Sequence, residues 1–181
     1  MTPEDKARQQ IDKKLDQVGW HIQDWKKINL GAGFGVAVRE HPTDTGPADY
    51  VLFVDRKAVG IIEAKKDQTI LTVHEDQTLR YSLSKLKWRK EEDPLPFLFE
   101  ATGQIVHFTD ARDPSPRARE VFHFHKPETL AEWAKQPDTL RRRLVEKMPE
   151  LPAENLRDCQ IIAINGLEKS LKNNQPRSLV H

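Results

Sequence analysis

The sequence predicts an α/β fold that is followed by a helical extension at its carboxyl end. Apolar residues recur at helical spacing near the amino terminus, and two apolar runs separated by three polar residues predict a β-hairpin. Helical patterns dominate after residue 126. At 181 residues the chain is long enough for one ordinary domain with an appendage, and it can bury a sizeable core.

The first predicted helix begins near Thr2 and Pro3, which suit a cap and a first helical position, and it ends near Gly19. Its apolar positions are Ala7, Ile11, Leu15 and Val18. A short strand is predicted at 36–39. A hairpin then joins strands 50–54 and 58–64 through a turn at 55–57.

Further elements follow to the end of the chain. A helix is predicted at 74–88 and strands at 97–101, 104–108 and 121–124; helices are predicted at 127–135, 139–147 and 156–172, with a possible strand at 178–180. We expect a domain at 1–126, a helical extension and linker at 127–155, and the start of a further domain at 156–181.

Composition excludes several classes of protein. The 29 Lys and Arg residues nearly balance the 28 Asp and Glu residues, so any nucleic-acid contact must come from a local patch. Cys159 is the only cysteine, which rules out an intrachain disulfide. No apolar run approaches the roughly 20 residues of a membrane span. The amino terminus lacks a signal-peptide core, so we expect a cytoplasmic location.

A pair of carboxylates with a nearby lysine is the main candidate site. With a three-residue turn at 55–57, counting back along the hairpin sets Asp49 opposite Glu63, and Lys65 points to the same face two residues later. A turn one residue shorter would move one carboxylate to the other face.

The chemistry of this set favours a divalent cation. Adjacent carboxylates repel, and Mg²⁺ is commonly held by one or two carboxylates together with water and a substrate phosphate. Lys65 would orient the attacking water or stabilise the transition-state charge. The alternative is a strand-initiating aspartate and a surface Glu–Lys pair. We prefer a site because the apolar run 60–64 delivers Glu63 at the end of a buried strand.

The stretches 48–53 and 61–66 resemble the PD-(D/E)XK nuclease motif, and more narrowly the N-terminal endonuclease domain of the restriction (R) subunit of type I restriction-modification enzymes. The resemblance implies a restriction-endonuclease-like mixed sheet flanked by helices. It also implies Mg²⁺-dependent, or Mn²⁺-dependent, cleavage of double-stranded DNA. Asp49 and Glu63 would bind the metal and Lys65 would serve catalysis. Ala48 stands where the motif name has proline.

Supporting residues follow from the same resemblance. Gln77 and Tyr81 share one face of the predicted helix 74–88 and are similar to an additional motif that supports the active site or positions DNA. Without the resemblance, they would be ordinary polar positions of an amphipathic helix. Glu40 resembles an acid that lies near the metal; an exposed glutamate at a strand end is the alternative.

A basic segment lies at 80–90 and contains no acids. It is either a phosphate-binding surface or a solvated helix end, and both interpretations stay open. Its positive residues are Arg80, Lys85, Lys87, Arg89 and Lys90.

The segment 157–171 is an amphipathic helix that resembles the region leading into the helicase-like motor of the R subunit. The resemblance would give Gln160 contact with adenine. No G-x-x-x-x-G-K-[ST] motif occurs in the sequence. We therefore expect a fragment that stops before the motor and does not hydrolyse ATP, which would bind only to the full-length parent.

The resemblance further implies partners: modification and specificity subunits that select the DNA site. The isolated fragment would then cut poorly. Two alternatives remain. One is another PD-(D/E)XK nuclease of a repair or junction type, against which the segment around Gln160 argues. The other is a catalytically silent DNA-binding or assembly module, which substitution of Glu63 would distinguish.

Overall fold

A computed structural model gives the structure of the chain and describes residues 3–43, 46–66, 95–114, 116–173 and 175. By their contacts these fall into two compact units. The larger comprises Met1–Ala111 with Pro116–Gln136, and the smaller comprises Arg112–Ser115 with Pro137–His181. The division after residue 126 that the sequence predicts stays a prediction.

The larger unit is an α/β structure, as the sequence predicts, and it is built on a seven-stranded sheet. Its described residues form the helices α1 (Pro3–Gln17) and α2 (Pro127–Lys135), and a 3₁₀ turn covers Trp25–Lys27. In chain order the strands are β1 (His21–Asp24), β2 (Gly35–Thr43), β3 (Gly46–Val54), β4 (Lys57–Ala64), β5 (Phe97–Ala101), β6 (Val106–Asp110) and β7 (Arg119–Val121).

The sheet is mixed, and its spatial order follows the chain from β1 to β7. The pairs β1–β2 and β4–β5 are parallel, and the other neighbours are antiparallel. The predicted helix 74–88 lies outside the described residues, between β4 and β5.

The middle of the sheet is buried on both faces. Tyr50, Leu52 and Val54 pack in one apolar cluster with α1 and α2, whereas Val51 and Phe53 pack in a second cluster. This double burial explains why β3 reads as a continuous apolar run rather than an alternating one. Glu63 therefore lies near the carboxyl end of β4, directly after a run of buried apolar residues.

Some helices and strands have the bounds that the local sequence pattern predicts, and others do not. The bounds of α2 and β5 match the prediction, and α1 matches within one or two residues. The pattern missed β1, and the strands predicted at 104–108 and 121–124 are displaced to Val106–Asp110 and Arg119–Val121. The possible strand at 178–180 lies outside the described part of the chain.

The smaller unit contains α3 (Leu140–Glu146) and α4 (Asp158–Lys172). Thr139 caps α3, because its hydroxyl oxygen accepts a hydrogen bond from the backbone N–H of Arg142 at 3.1 Å. The Arg141 guanidinium donates to the carbonyl oxygen of Leu171 at 3.3 Å. In the ranges that the structure describes, no helix has the length and apolarity needed to cross a membrane.

Candidate metal centre

The hairpin turn differs from the predicted one. The turn has two residues, Asp55 and Arg56, both with left-handed backbone (φ 46° and 65°), and Val54 pairs with Lys57. The predicted three-residue turn was therefore wrong. By itself the shorter turn would place Glu63 on the face opposite to Asp49.

A β-bulge restores the predicted alignment. Phe53 pairs with Ala58 but Leu52 pairs with Gly60, so that Val59 is an extra residue on β4. From Leu52 onwards the pairing is the one that a three-residue turn would have produced. The shorter turn and the extra residue offset each other.

The bulge brings the two predicted carboxylates together. The pairing ends with Tyr50 opposite Ile62, and Asp49 and Glu63 are the next residues along β3 and β4 in that register. One carboxylate oxygen of Asp49, Oδ2, accepts a hydrogen bond from the backbone N–H of Ala64 at 3.0 Å. Burial raises the pKa of Glu63, and the negative charge of Asp49 raises it further.

Lys65 joins the same group of side chains. Its ammonium Nζ donates to Glu63 Oε1 at 3.0 Å, and both side chains are largely buried, with 14% and 7% of their surface exposed. Its backbone N–H donates to the carbonyl oxygen of Ala101 at 2.7 Å, which extends the β4–β5 pairing past the end of β4. The backbone thus fixes the start of the lysine side chain next to Glu63.

A third carboxylate, which the sequence analysis missed, lies on the neighbouring strand. Glu100 is the register partner of Glu63 across the parallel β4–β5 pair, and it is buried. Its charge also contributes to the raised pKa of Glu63, after burial and Asp49. The sequence signal was available, because Glu100 is the one charged residue within the apolar run 97–101.

An arginine from the first helix, also missed, completes the surroundings of Asp49. The Arg8 Nη2 atom donates to Asp49 Oδ1 at 2.6 Å, and Nη1 donates to Glu40 Oε1 at 3.0 Å. Burial opposes the charge of Arg8, but the two carboxylates outweigh it and raise the pKa of the guanidinium. Glu40 is therefore linked to Asp49 of the candidate centre through the guanidinium of Arg8.

A polar network fixes α1 against the sheet beside this arginine. The Tyr50 hydroxyl donates to Asp12 Oδ1 at 2.8 Å, and Asp12 Oδ2 accepts from Arg39 Nη1 at 3.2 Å. Burial raises the pKa of Tyr50, and the Asp12 carboxylate raises it further, so the phenol keeps its proton to donate. A cleft of about 470 Å³ opens here, and Arg8, Glu40 and Asp49 are among its lining residues.

The donor set fits a hard divalent cation. Asp49 and Glu63 offer carboxylate oxygens, and the mutual repulsion that raises the pKa of Glu63 is what such a cation would relieve. Within the described ranges, no group of three or more His, Cys, Asp or Glu residues is arranged to hold a metal. Two carboxylates with water and a substrate phosphate are nevertheless the usual protein contribution to a Mg²⁺ site.

The other predicted site residues stay predictions. Gln77, Tyr81 and the basic residues Arg80, Lys85, Lys87 and Arg89 lie outside the described residues. Gln160 lies in the first turn of α4, in the smaller unit, where its side-chain oxygen accepts from the backbone N–H of Arg157 at 2.9 Å. That contact caps the helix, and the nucleotide role of Gln160 stays a prediction.

Comparisons with known proteins agree with the resemblance. Residues 26–134 match the family model of the type I restriction enzyme EcoKI endonuclease subunit second domain, a range that contains Asp49, Glu63 and Lys65. The chain is 22% identical over 228 aligned positions to the type I restriction enzyme EcoKI endonuclease subunit of Escherichia coli (strain K12). That alignment covers 98% of this chain and 20% of the relative.

One solved structure is also similar, a fragment assigned as an HsdR subunit of a type I restriction enzyme from Vibrio vulnificus YJ016. The TM-score is 0.48 with 19% sequence identity, and the match covers 98% of this chain and 34% of that one. The chain therefore spans about a fifth of its curated relative and a third of this solved chain.

Proposed function

Since this chain belongs to the family of the type I restriction enzyme EcoKI endonuclease subunit second domain, we propose that it is a metal-dependent nuclease module. It would hydrolyse phosphodiester bonds of double-stranded DNA. The observation that carries the proposal is the hydrogen bond that ties Asp49 to the backbone of Ala64, next to Glu63, with the Lys65 ammonium 3.0 Å from Glu63.

Each of the three residues has a distinct task. Asp49 and Glu63 would hold Mg²⁺ or Mn²⁺, and the bound ion would supply Lewis acidity at the scissile phosphate and a more acidic water. Lys65 contributes a positive charge in a largely buried position, where it stabilises negative charge that develops on the phosphate. The backbone N–H of Ala64 holds Asp49 in place, which limits the reorganisation needed when substrate binds.

The remaining parts of the activity belong to the larger system. Modification and specificity subunits would select the DNA site, and a helicase-like motor in the full-length parent would consume ATP. We place the activity in the cytoplasm, where the substrate DNA of such a system lies. In this division of labour the 181-residue chain supplies cleavage but not recognition, so its own cutting would be slow.

Cleavage of supercoiled plasmid tests the proposal, both with the 181-residue chain and with the full-length subunit assembled with its partners and ATP. Glu63→Gln and Lys65→Met should each lower the Mg²⁺-dependent rate by roughly a hundredfold or more, while DNA binding in a mobility-shift assay is retained. Lys57→Met is the matched control, because Lys57 is an exposed lysine at the far end of the same strand. It should cut at the parent rate.

A normal cleavage rate in both Glu63→Gln and Lys65→Met would contradict the proposal. That result would favour a catalytically silent DNA-binding or assembly module. The ion pair between Arg8 and Asp49 is the observation that keeps this second candidate open, because it occupies an oxygen that a metal would need.

A further inference from the structure

Both oxygens of Asp49 are engaged within the protein. Oδ2 accepts the backbone N–H of Ala64 at 3.0 Å, and Oδ1 accepts Arg8 Nη2 at 2.6 Å. The two partners differ in kind. The backbone bond is fixed by the sheet, whereas the guanidinium is at the end of a flexible side chain that is 39% exposed. Arg8 is therefore the partner that can move.

A divalent cation on Oδ1 would stand close to this guanidinium. A metal–oxygen distance of about 2.1 Å added to the 2.6 Å hydrogen bond gives a separation of at most about 4.7 Å between the metal and Nη2. Charges of +2 and +1 at that distance repel even in a water-like medium. The present position of Arg8 and a metal on Oδ1 thus disfavour each other electrostatically.

Glu40 offers Arg8 a second anchor. Arg8 Nη1 already donates to Glu40 Oε1 at 3.0 Å. Glu40 lies in the row between the pairs Arg39–Tyr50 and His41–Ala48, where the β2–β3 pairing is interrupted beside Asp49, and its backbone is left-handed (φ 51°). Non-glycine residues rarely adopt this conformation within a strand. A guanidinium that leaves Asp49 can keep its ion pair with Glu40.

We propose that Arg8 is an internal counter-ion that neutralises Asp49 in the metal-free protein and competes with the divalent cation for it. Metal loading then requires Arg8 to leave Asp49 while it stays paired with Glu40. Arg8 is a positioning residue in this scheme and Glu40 is its anchor, not a metal ligand. The inference rests on the proposed function only in that Asp49 binds the metal.

Calorimetric titration of the 181-residue chain with Mn²⁺ alone tests the inference. Arg8→Gln should lower the dissociation constant about tenfold, because it removes both the competing hydrogen bond and the repulsion. Arg8→Lys keeps the charge but has a single donor group, and it should give an intermediate affinity. Lys13→Gln removes one positive charge from an exposed position of the same helix, and it should change the constant less than twofold.

Asp49→Asn separates the possible failures. If Asp49→Asn loses Mn²⁺ binding but Arg8→Gln and Arg8→Lys bind no more tightly than the parent chain, the competition is refuted and the metal site stands. If Asp49→Asn binds as well as the parent, or if no variant binds Mn²⁺, the metal site and the competition both fail. Thermal melting by circular dichroism verifies that each variant is folded, and an unfolded Arg8→Gln leaves Arg8→Lys to decide.

Discussion

Asp49 accepts a hydrogen bond from the backbone N–H of Ala64 at 3.0 Å, which ties this carboxylate to the strand that carries Glu63. The contact forms one residue beyond Glu63, past the last paired row of β3 and β4, Tyr50 with Ile62. A side chain thus continues the connection between the two strands where the ladder ends. The relative position of the two carboxylates is therefore set by backbone pairing and by this one side-chain bond.

The register of the hairpin gives the first prediction. Deletion of Val59 removes the bulge but leaves Leu52 opposite Gly60, so that Asp49 stays opposite Glu63. Deletion of Ile61 shifts the strand beyond it by one residue and turns Glu63 to the other face. We expect the first variant to keep Mn²⁺ binding within about threefold and the second to lose at least tenfold, measured by calorimetry on folded protein. Equal binding by the two variants would contradict this account of the register.

The attachment of α1 gives the second prediction. Tyr50→Phe removes the hydroxyl that donates to Asp12 Oδ1 at 2.8 Å and leaves the rest of a fully buried ring in place. The free energy of unfolding should fall by about 1–1.5 kcal/mol in urea denaturation. Asp16→Asn, at an exposed position of the same helix, should change it by less than about 0.5 kcal/mol. A neutral Tyr50→Phe would mean that the hydroxyl bond does not stabilise α1.

A close approach between β4 and β5 gives the third prediction. A Cβ atom on Gly60 would lie 2.4 Å from the carbonyl oxygen of Phe97, a contact that only backbone movement can relieve. Gly60→Ala should therefore destabilise the sheet by about 1–3 kcal/mol. Gly166→Ala on α4 is the matched control, because nothing lies within 4 Å of its added Cβ, and it should stabilise the helix by about 0.5–1 kcal/mol. The opposite signs should be visible in thermal melts, and stabilisation by Gly60→Ala would contradict the contact.

The pH dependence of stability gives the fourth prediction. His125 packs against Phe108 and Trp133 with ring centroids 4.6 and 4.8 Å apart, and burial, assisted by the charge of His123, lowers its pKa. The unfolded chain then takes up a proton at about pH 6.5 while the folded protein still resists it. The contribution of His125 to the free energy of unfolding is fully present above the pKa of the unfolded chain. It is lost as the pH falls from there to the lowered pKa of the folded protein.

His125→Phe keeps an aromatic ring between Phe108 and Trp133 but removes the titrating group. Its melting temperature should fall less than that of the parent between pH 7 and 5. His123→Gln, at an exposed position, removes only the smaller cause of the lowered pKa of His125, so its melting temperature should depend on pH slightly less than that of the parent. Parallel pH profiles for His125→Phe and the parent would refute a contribution from His125.

The same histidine shows where a local pattern misleads. For the strand predicted at 121–124, the alternation of Phe and His over 122–125 indicates aromatic residues inside and histidines outside. In the structure β7 ends at Val121, Phe122 is fully exposed and His125 is packed among aromatic rings. Side chains alternate between two faces only where the backbone is extended. Where the extended segment ends depends on its pairing with a neighbouring strand, which the sequence pattern does not show.

The sequence by itself determined the features that depend on neighbouring residues. Helical spacing gave α1 and α2, and the polar interruption between two apolar runs gave the hairpin. The charged Glu63 at the end of a buried run gave the candidate centre. These are local properties, because hydrophobic periodicity and turn chemistry act over a few residues. The alignment of Asp49 with Glu63 was predicted for the wrong turn length.

Only the tertiary structure decided how that alignment arises and what surrounds it. The bulge at Val59 directly precedes Gly60, where the parallel pairing of β4 with β5 begins. Arg8 reaches Asp49 from 41 residues away, and Glu100 lies beside Glu63 from 37 residues away. Neither contact can be predicted from the local sequence pattern, because both follow from the packing of α1 and β5 against the hairpin.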